Sequence, residues 1–185
     1  GSIDPCFPSK IGIPHIHNLL YTHHVAKPLD VIFFPMIDCL ASFLKSTQGK
    51  RACPTVATTP EAVKAAFIKE GNLFAEMGIK FYDTFVNMSE PKLLARQLFA
   101  QFAADLGLSE EENTRAVEAG YAALTRFDAT LRQQAREVLD RLEAEDRIGI
   151  VVLARPYHND PGINHEILEE FQKLGYPVLT GDSLP

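Results

Sequence analysis

Apolar positions along the chain change period several times, and each change predicts a different element. Residues 8–26 read as a loop turning into a helix. Pro14 is tolerated in its first turn, and Ile16, Leu19, Leu20 and His23 share one face. Val31, Ile32, Phe33 and Phe34 then follow without polar alternation within residues 29–34. A continuous β-branched and aromatic run predicts a strand covered on both faces, as in a parallel sheet, and Pro35 stops it. Thr59-Pro60-Glu61 predicts a helix start, with Thr as N-cap, Pro at the first position and an acid in the first turn, running to near Gly71. Residues 79–86 have no clear period and are read as a strand. Residues 91–106 are helical, with Leu94, Leu98, Phe102 and Leu106 near one stripe and Gly107 as the stop.

Ser109 with Glu112 forms a capping box ahead of a second, longer helix. Its apolar positions, Val117, Tyr121, Leu124, Phe127, Leu131, Val138 and Leu142, keep the helical period to about Arg147, and Gly120 is a candidate bend. Residues 148–154 then read as a strand, 163–174 as a helix and 177–180 as a short strand. That order makes a βαβ unit. The expected fold class is α/β, a parallel sheet with flanking helices plus a long helical segment. Residues 1–185 are read as one α/β fragment of a larger protein, because the chain opens in a loop at Gly1-Ser2 and closes at Pro185 directly after a strand. Within it lie a Cys/Pro/His-rich segment (1–60), a helical segment (91–147) and the βαβ unit (148–185).

Composition narrows the function classes. At 46% hydrophobic and 23% charged residues, the 185-residue chain can bury a core and is not of disordered type. Its longest apolar stretches, 31–34 and 148–154, are far too short to span a bilayer, and no secretion signal opens the chain. A cytoplasmic protein is expected. The net charge of −6 argues against nucleic acid as the main partner. The charge is unevenly spread, however. The first 60 residues carry three acids against five bases, so the remainder holds −8. The same 60 residues hold all three cysteines (Cys6, Cys39, Cys53), four of the six histidines and seven of the twelve prolines, which locates the candidate chemistry.

Cys6 precedes a helix, Cys39 lies beyond the carboxyl end of the apolar strand, and Cys53 lies in the approach to the Thr59 helix. Ligands of open α/β sheets bind beyond strand carboxyl ends. Lys10 and Arg51 are basic neighbours of the kind that favours a thiolate. Three readings are open. The cysteines are small buried hydrophobes; or they join a histidine in a structural zinc site, although no C-x-x-C pair is present; or they hold an iron–sulfur cluster, in which three ligands leave one iron free. His17, Tyr21 and His24 share a helical face that reads as solvated.

A second candidate is the turn Arg155-Pro156-Tyr157-His158-Asn159-Asp160-Pro161-Gly162, between a strand and a helix. Arg155, Tyr157, His158 and Asn159 offer a guanidinium, a phenol, an imidazole and an amide, a set suited to an anion such as phosphate or carboxylate. The competing reading is turn chemistry, since Asp160-Pro161-Gly162 alone starts a helix. No Walker-type or dinucleotide-type glycine loop occurs.

In combination, Cys6-Phe7-Pro8-Ser9-Lys10, Phe34-Pro35-Met36-Ile37-Asp38-Cys39, Ala52-Cys53-Pro54-Thr55-Val56, Thr59-Pro60-Glu61-Ala62-Val63-Lys64, the Arg155 turn and Gly175-Tyr176-Pro177-Val178-Leu179 resemble the acyl-CoA dehydratase activase-related family. That family is related to the subunits of 2-hydroxyacyl-CoA dehydratases and benzoyl-CoA reductases. The resemblance implies a Rossmann-like domain of dehydratase-subunit type and a [4Fe–4S] cluster. Cys6 and Cys39 match two of its ligands, and Cys53 is either a substitute ligand or none, the usual third lying further along such chains. It also implies ATP-driven electron transfer and radical dehydration of an acyl-CoA. The partners it implies are an activase ATPase domain or electron donor, with neither nucleic acid nor membrane. The parent protein would be a dehydratase (a lyase) or its activator, the fragment alone being inactive. The alternative is a non-catalytic scaffold or docking domain.

Overall fold

Phe7–Lys10 and Gly12–Asn18 form α1 and α2 in a computed structural model that describes residues 6–41 and 50–184. The opening Gly1-Ser2, the 42–49 segment with Lys45, and Pro185 lie outside the described residues. The chain divides into two compact units, Gly1–Glu118 and Ala119–Pro185.

In the first unit, α2 continues through a π-helical turn, Leu19–His23, into α3 (His24–Ala26). Ile16 and Leu20 face the core as expected, but His23 is exposed. The extra residue of a π turn rotates the helix face, so His24 takes the inward side and its Nδ1 accepts the Leu29 N–H at 2.9 Å. The apolar run forms β1 (Val31–Phe33), followed by β2 (Met36–Cys39). Next come α4 (Pro54–Ala57), α5 (Thr59–Ile68), α6 (Leu73–Glu76), β3 (Lys80–Tyr82) and β4 (Phe85–Asn87).

β1 pairs with β3 and β2 with β4, both in parallel. Register is the same on either side of Pro35, since Val31 lies opposite Lys80 and Met36 opposite Phe85. The Phe34 N–H donates to Tyr82 O (2.9 Å) and the Met36 N–H to Thr84 O (3.0 Å). Residues 31–39 and 80–87 therefore form one parallel pair, interrupted where Pro35 lacks a donor rather than ended there. The pair is not covered on both faces along its length, because Phe33 is 44% exposed. Thr59 is the first residue of α5, not its cap: its hydroxyl donates to the Thr55 carbonyl (2.7 Å), and Thr58 precedes it. The core gathers Ile16, Leu20, Ile32, Val63, Phe74 and Ile79. A Cβ on Gly12 would lie 2.9 Å from Val63 Cγ2, so a residue without a side chain lets α2 approach α5.

α7 (Pro91–Leu106) packs against the second strand pair and ends, as expected, at Gly107, whose φ of 62° suits glycine. Its strand-facing side mixes an aromatic contact, Phe102 edge-on to Phe33 and Tyr82, with a row of polar ones. Gln97 accepts the Asn87 N–H (2.9 Å), Gln101 accepts from the Thr84 hydroxyl (2.7 Å), and Asp105 accepts from both Lys80 and Tyr82. The spacing 97, 101, 105 follows one helical stripe. Of the expected apolar stripe, Leu94 is buried, whereas Leu106 is exposed.

α8 (Glu110–Ala144) starts at the expected capping box and runs unbroken through Gly120. The boundary between the two units falls within it. Its stripe is only partly covered: Val117 and Leu142 are buried, Leu124 and Phe127 exposed.

In the second unit, β5 (Ile150–Val152) and β6 (Val178–Thr180) pair in parallel, as the βαβ reading expects. The expected single helix is two, α9 (Pro161–Asn164) and α10 (Ile167–Lys173), because His165 and Glu166 both adopt left-handed backbone, φ 55° and 60°. The molecule is thus mixed α/β with short parallel strand pairs and one long helix.

Candidate functional site

β2 carries Cys39 at its carboxyl end. Ile37 lies opposite Val86 and Cys39 opposite Asn87, so Asp38 is an extra, bulged residue. Bulges re-aim side chains and often border functional sites. The Cys39 thiol donates to Asp38 Oδ2 at 3.3 Å, and Arg51 grips the same carboxylate at 2.6 and 2.8 Å. Arg51 is held there by a bridge between its backbone and Cys39, with the Ala52 N–H donating to Asp38 O at 2.6 Å. Burial pushes the Cys39 thiol above its usual value. The hydrogen bond and charge of Asp38 push it the same way, the Arg51 guanidinium pulls it back, and the Glu90 charge adds a smaller upward push. The expected activation by Arg51 is therefore outweighed at Cys39, since Arg51 spends its charge on Asp38.

Cys6 and Cys53 are the N-cap residues of α1 and α4, and neither makes a side-chain cap bond. Pro at the start of each helix fixes the entering backbone. Cys6 is half-buried and 3.4 Å from the Ser9 hydroxyl, which lies 2.8 Å from the Thr59 hydroxyl; Cys53 is exposed. α4 packs against both α1 and β2, so the three cysteine-bearing elements are neighbours. Yet among the described residues no three His, Cys, Asp or Glu side chains converge into a group able to hold a metal ion. The three thiols are not gathered into a cluster-holding set in this arrangement.

The Arg155 turn lies at the carboxyl end of β5 in the second unit. Pro156–Asn159 form a single 3-10 turn that packs against α9. Asp160 caps α9, its carboxylate accepting the Gly162 N–H at 2.8 Å, so helix initiation accounts for Asp160-Pro161-Gly162. His158 sets Nδ1 3.2 Å from the Arg155 carbonyl and packs its ring on Tyr157, centroids 4.5 Å apart. Arg155 is exposed and makes no ion pair with a described residue, which leaves its guanidinium available to an anion.

Residues 2–184 match the family model described as the CoA enzyme activase uncharacterised domain. The chain belongs to this family. No curated protein and no solved structure matches it. In this activase domain the two candidate sites lie in different units, the thiols in the first and the Arg155 turn in the second. Sequence reasoning missed Asp38, Ser9 and Thr59 as partners of the thiol region. Their only sequence signal is proximity to a cysteine, because a bulge and a hydroxyl contact spanning fifty positions leave no periodic trace. No helix among the described residues is long and apolar enough to cross a membrane.

Proposed function

We propose that this activase-family domain serves ATP-driven electron transfer toward an acyl-CoA enzyme of the 2-hydroxyacyl-CoA dehydratase type. Cys6 and Cys39 would be ligands of an iron–sulfur cluster, with Cys53 the weaker candidate for the third. The Arg155 turn, with Tyr157, His158 and Asn159, would receive the anionic part of the acyl-CoA. The partners on this reading are the activase ATPase domain or another electron donor, in the cytoplasm. The observation that carries the reading is the packing of α4 against both α1 and β2, which brings the three cysteine-bearing elements side by side. A second reading, a docking domain without a cluster, is favoured by the lack of a metal-holding group among the described residues.

Anaerobic reconstitution with iron and sulfide separates them. A brown product containing both elements, with iron lost in Cys6→Ala and Cys39→Ala, is the outcome expected for the cluster reading. A colourless product leaves the docking reading, and zinc in elemental analysis indicates a structural site. Acyl-CoA binding weakened in Arg155→Ala supports the turn as its receptor, and unchanged binding returns the turn to helix initiation.

A further inference from the structure

We propose that the cleft between α7 and α8 in the first unit binds a small phosphorylated ligand carrying a flat ring, of mononucleotide size. The cleft has a volume of about 410 Å³, within the range of small-molecule sites. It lies apart from the thiols and the Arg155 turn in its residues, and its assignment does not depend on theirs.

The elements that form it are fixed locally. Gly107 ends α7 with positive φ, and the reciprocal Ser109–Glu112 bonds start α8 two residues later. Asn113, only 6% exposed, then ties the helices together by donating from Nδ2 to the Ala95 carbonyl at 2.8 Å. A buried amide bridging two helices holds the floor of the cleft in one geometry. The walls are Lys92, Arg96 and Phe99 from α7 and Glu110 and Thr114 from α8.

Lys92, Arg96 and Phe99 follow the i, i+4, i+7 spacing of one helix face. At 100° per residue, that face lies roughly opposite the one on which Gln97, Gln101 and Asp105 meet the strands. The basic face is therefore not occupied by the fold. Neither Lys92 nor Arg96 makes an ion pair with a described residue.

The acids of the facing turn do not neutralise it. Glu111 pairs with Arg115 at 2.9 Å, and Glu112 is held by the N–H and hydroxyl of Ser109 at 3.0 Å. Among the described residues, Glu110 is the only acid lining the cleft, against two cations. With Lys92 and Arg96 against Glu110 the cleft is net positive, and its small volume suits a single anionic group rather than a polymer. The half-buried Phe99 ring supplies a flat apolar wall, and the Thr114 hydroxyl and the Asn113 amide supply polar groups for a ring edge.

Calorimetric titration of the chain with AMP, adenosine and inorganic phosphate tests this. Saturable AMP binding with Kd at or below about 1 mM is expected, with adenosine and phosphate each at least about tenfold weaker. The Lys92→Ala/Arg96→Ala double variant should lose at least about tenfold in AMP affinity, because both charge-assisted contacts go. Phe99→Leu should bring AMP down to the level of phosphate alone. Lys64→Ala, a basic residue paired with Asp83 and outside the cleft lining, should leave AMP binding unchanged. Absence of saturable AMP binding, or equal affinity in the double variant with its helical circular dichroism intact, would overturn the proposal.

Discussion

The Cys39 thiol and the Asp38 carboxylate are hydrogen-bonded neighbours on one strand, Sγ to Oδ2 3.3 Å. In a regular strand, consecutive side chains point to opposite faces and cannot meet. The extra residue opposite the step from Val86 to Asn87 makes the meeting possible, and the Arg51 guanidinium holds the carboxylate in place.

This pairing sets the reactivity of the thiol. Burial first, then the hydrogen bond and charge of Asp38, raise the Cys39 pKa against the opposing pull of Arg51. Asp38→Asn removes the carboxylate charge and lowers the thiol pKa, so alkylation of Cys39 near neutral pH should speed up. Arg51→Ala should slow it. Labelling rates against pH, resolved by peptide mass spectrometry, check both variants in one series. Equal rates in wild type and Asp38→Asn would sink the account. The same measurement bears on metal loading, since a thiolate ligand at position 39 must first give up this proton.

The start of α8 carries a pH dependence of known sign. The Glu112 carboxyl sits below its usual value, chiefly because it accepts the Ser109 backbone N–H and then the Ser109 hydroxyl. A depressed folded-state pKa contributes stability that is present above the unfolded pKa and is lost as pH falls through the folded one. The first turn of α8 should therefore fray on the acid side of the ordinary carboxylate range. Glu112→Gln should flatten that dependence, and Ser109→Ala should cost about 1 kcal/mol at neutral pH by removing the cap. Hydrogen exchange at the Glu112 and Asn113 amides across an acid titration reads this out. A pH-independent protection factor would contradict it.

Elements with local chemical markers were legible in the sequence. Pro91 and Gly107 bracket α7, Ser109 and Glu112 open α8, and Asp160-Pro161-Gly162 opens α9. Features that depend on one extra or one unusual backbone residue were not. The π turn at Leu19–His23 exchanges His24 for His23 on the inner face, and nothing in that composition marks it. The polar ladder Gln97, Gln101, Asp105 has no apolar period to mark it as inward-facing, yet it meets donors from the strands. For the candidate sites, the sequence located the cysteines and Arg155. It did not show which thiol is tied to a carboxylate, because the bulge that joins Asp38 to Cys39 is a property of strand register.

The break between α9 and α10 gives the last prediction. Apolar period alone predicts one helix there, but His165 and Glu166 occupy left-handed backbone where neither glycine nor asparagine stands. Each such residue costs roughly 1 kcal/mol or more. Beside them Asn164 is only 7% exposed, and neither its Nδ2 nor its Oδ1 has a hydrogen-bond partner among the described residues. Leaving a buried polar group unpaired costs about 1–3 kcal/mol. The segment thus holds three destabilising features in three consecutive residues. Asn164→Leu, with the same branching and no polar atoms but a larger volume, should raise the stability of the chain by up to about 1–3 kcal/mol, less the cost of fitting the added volume. Glu166→Gly should add up to about 1 kcal/mol by relieving the backbone, less what glycine adds to the unfolded state. Urea melts of the two single variants and the double variant measure both effects, and the double variant shows whether they couple. A loss of stability in Asn164→Leu would mean that the amide has a partner in solution, and the account of an unpaired group would fail.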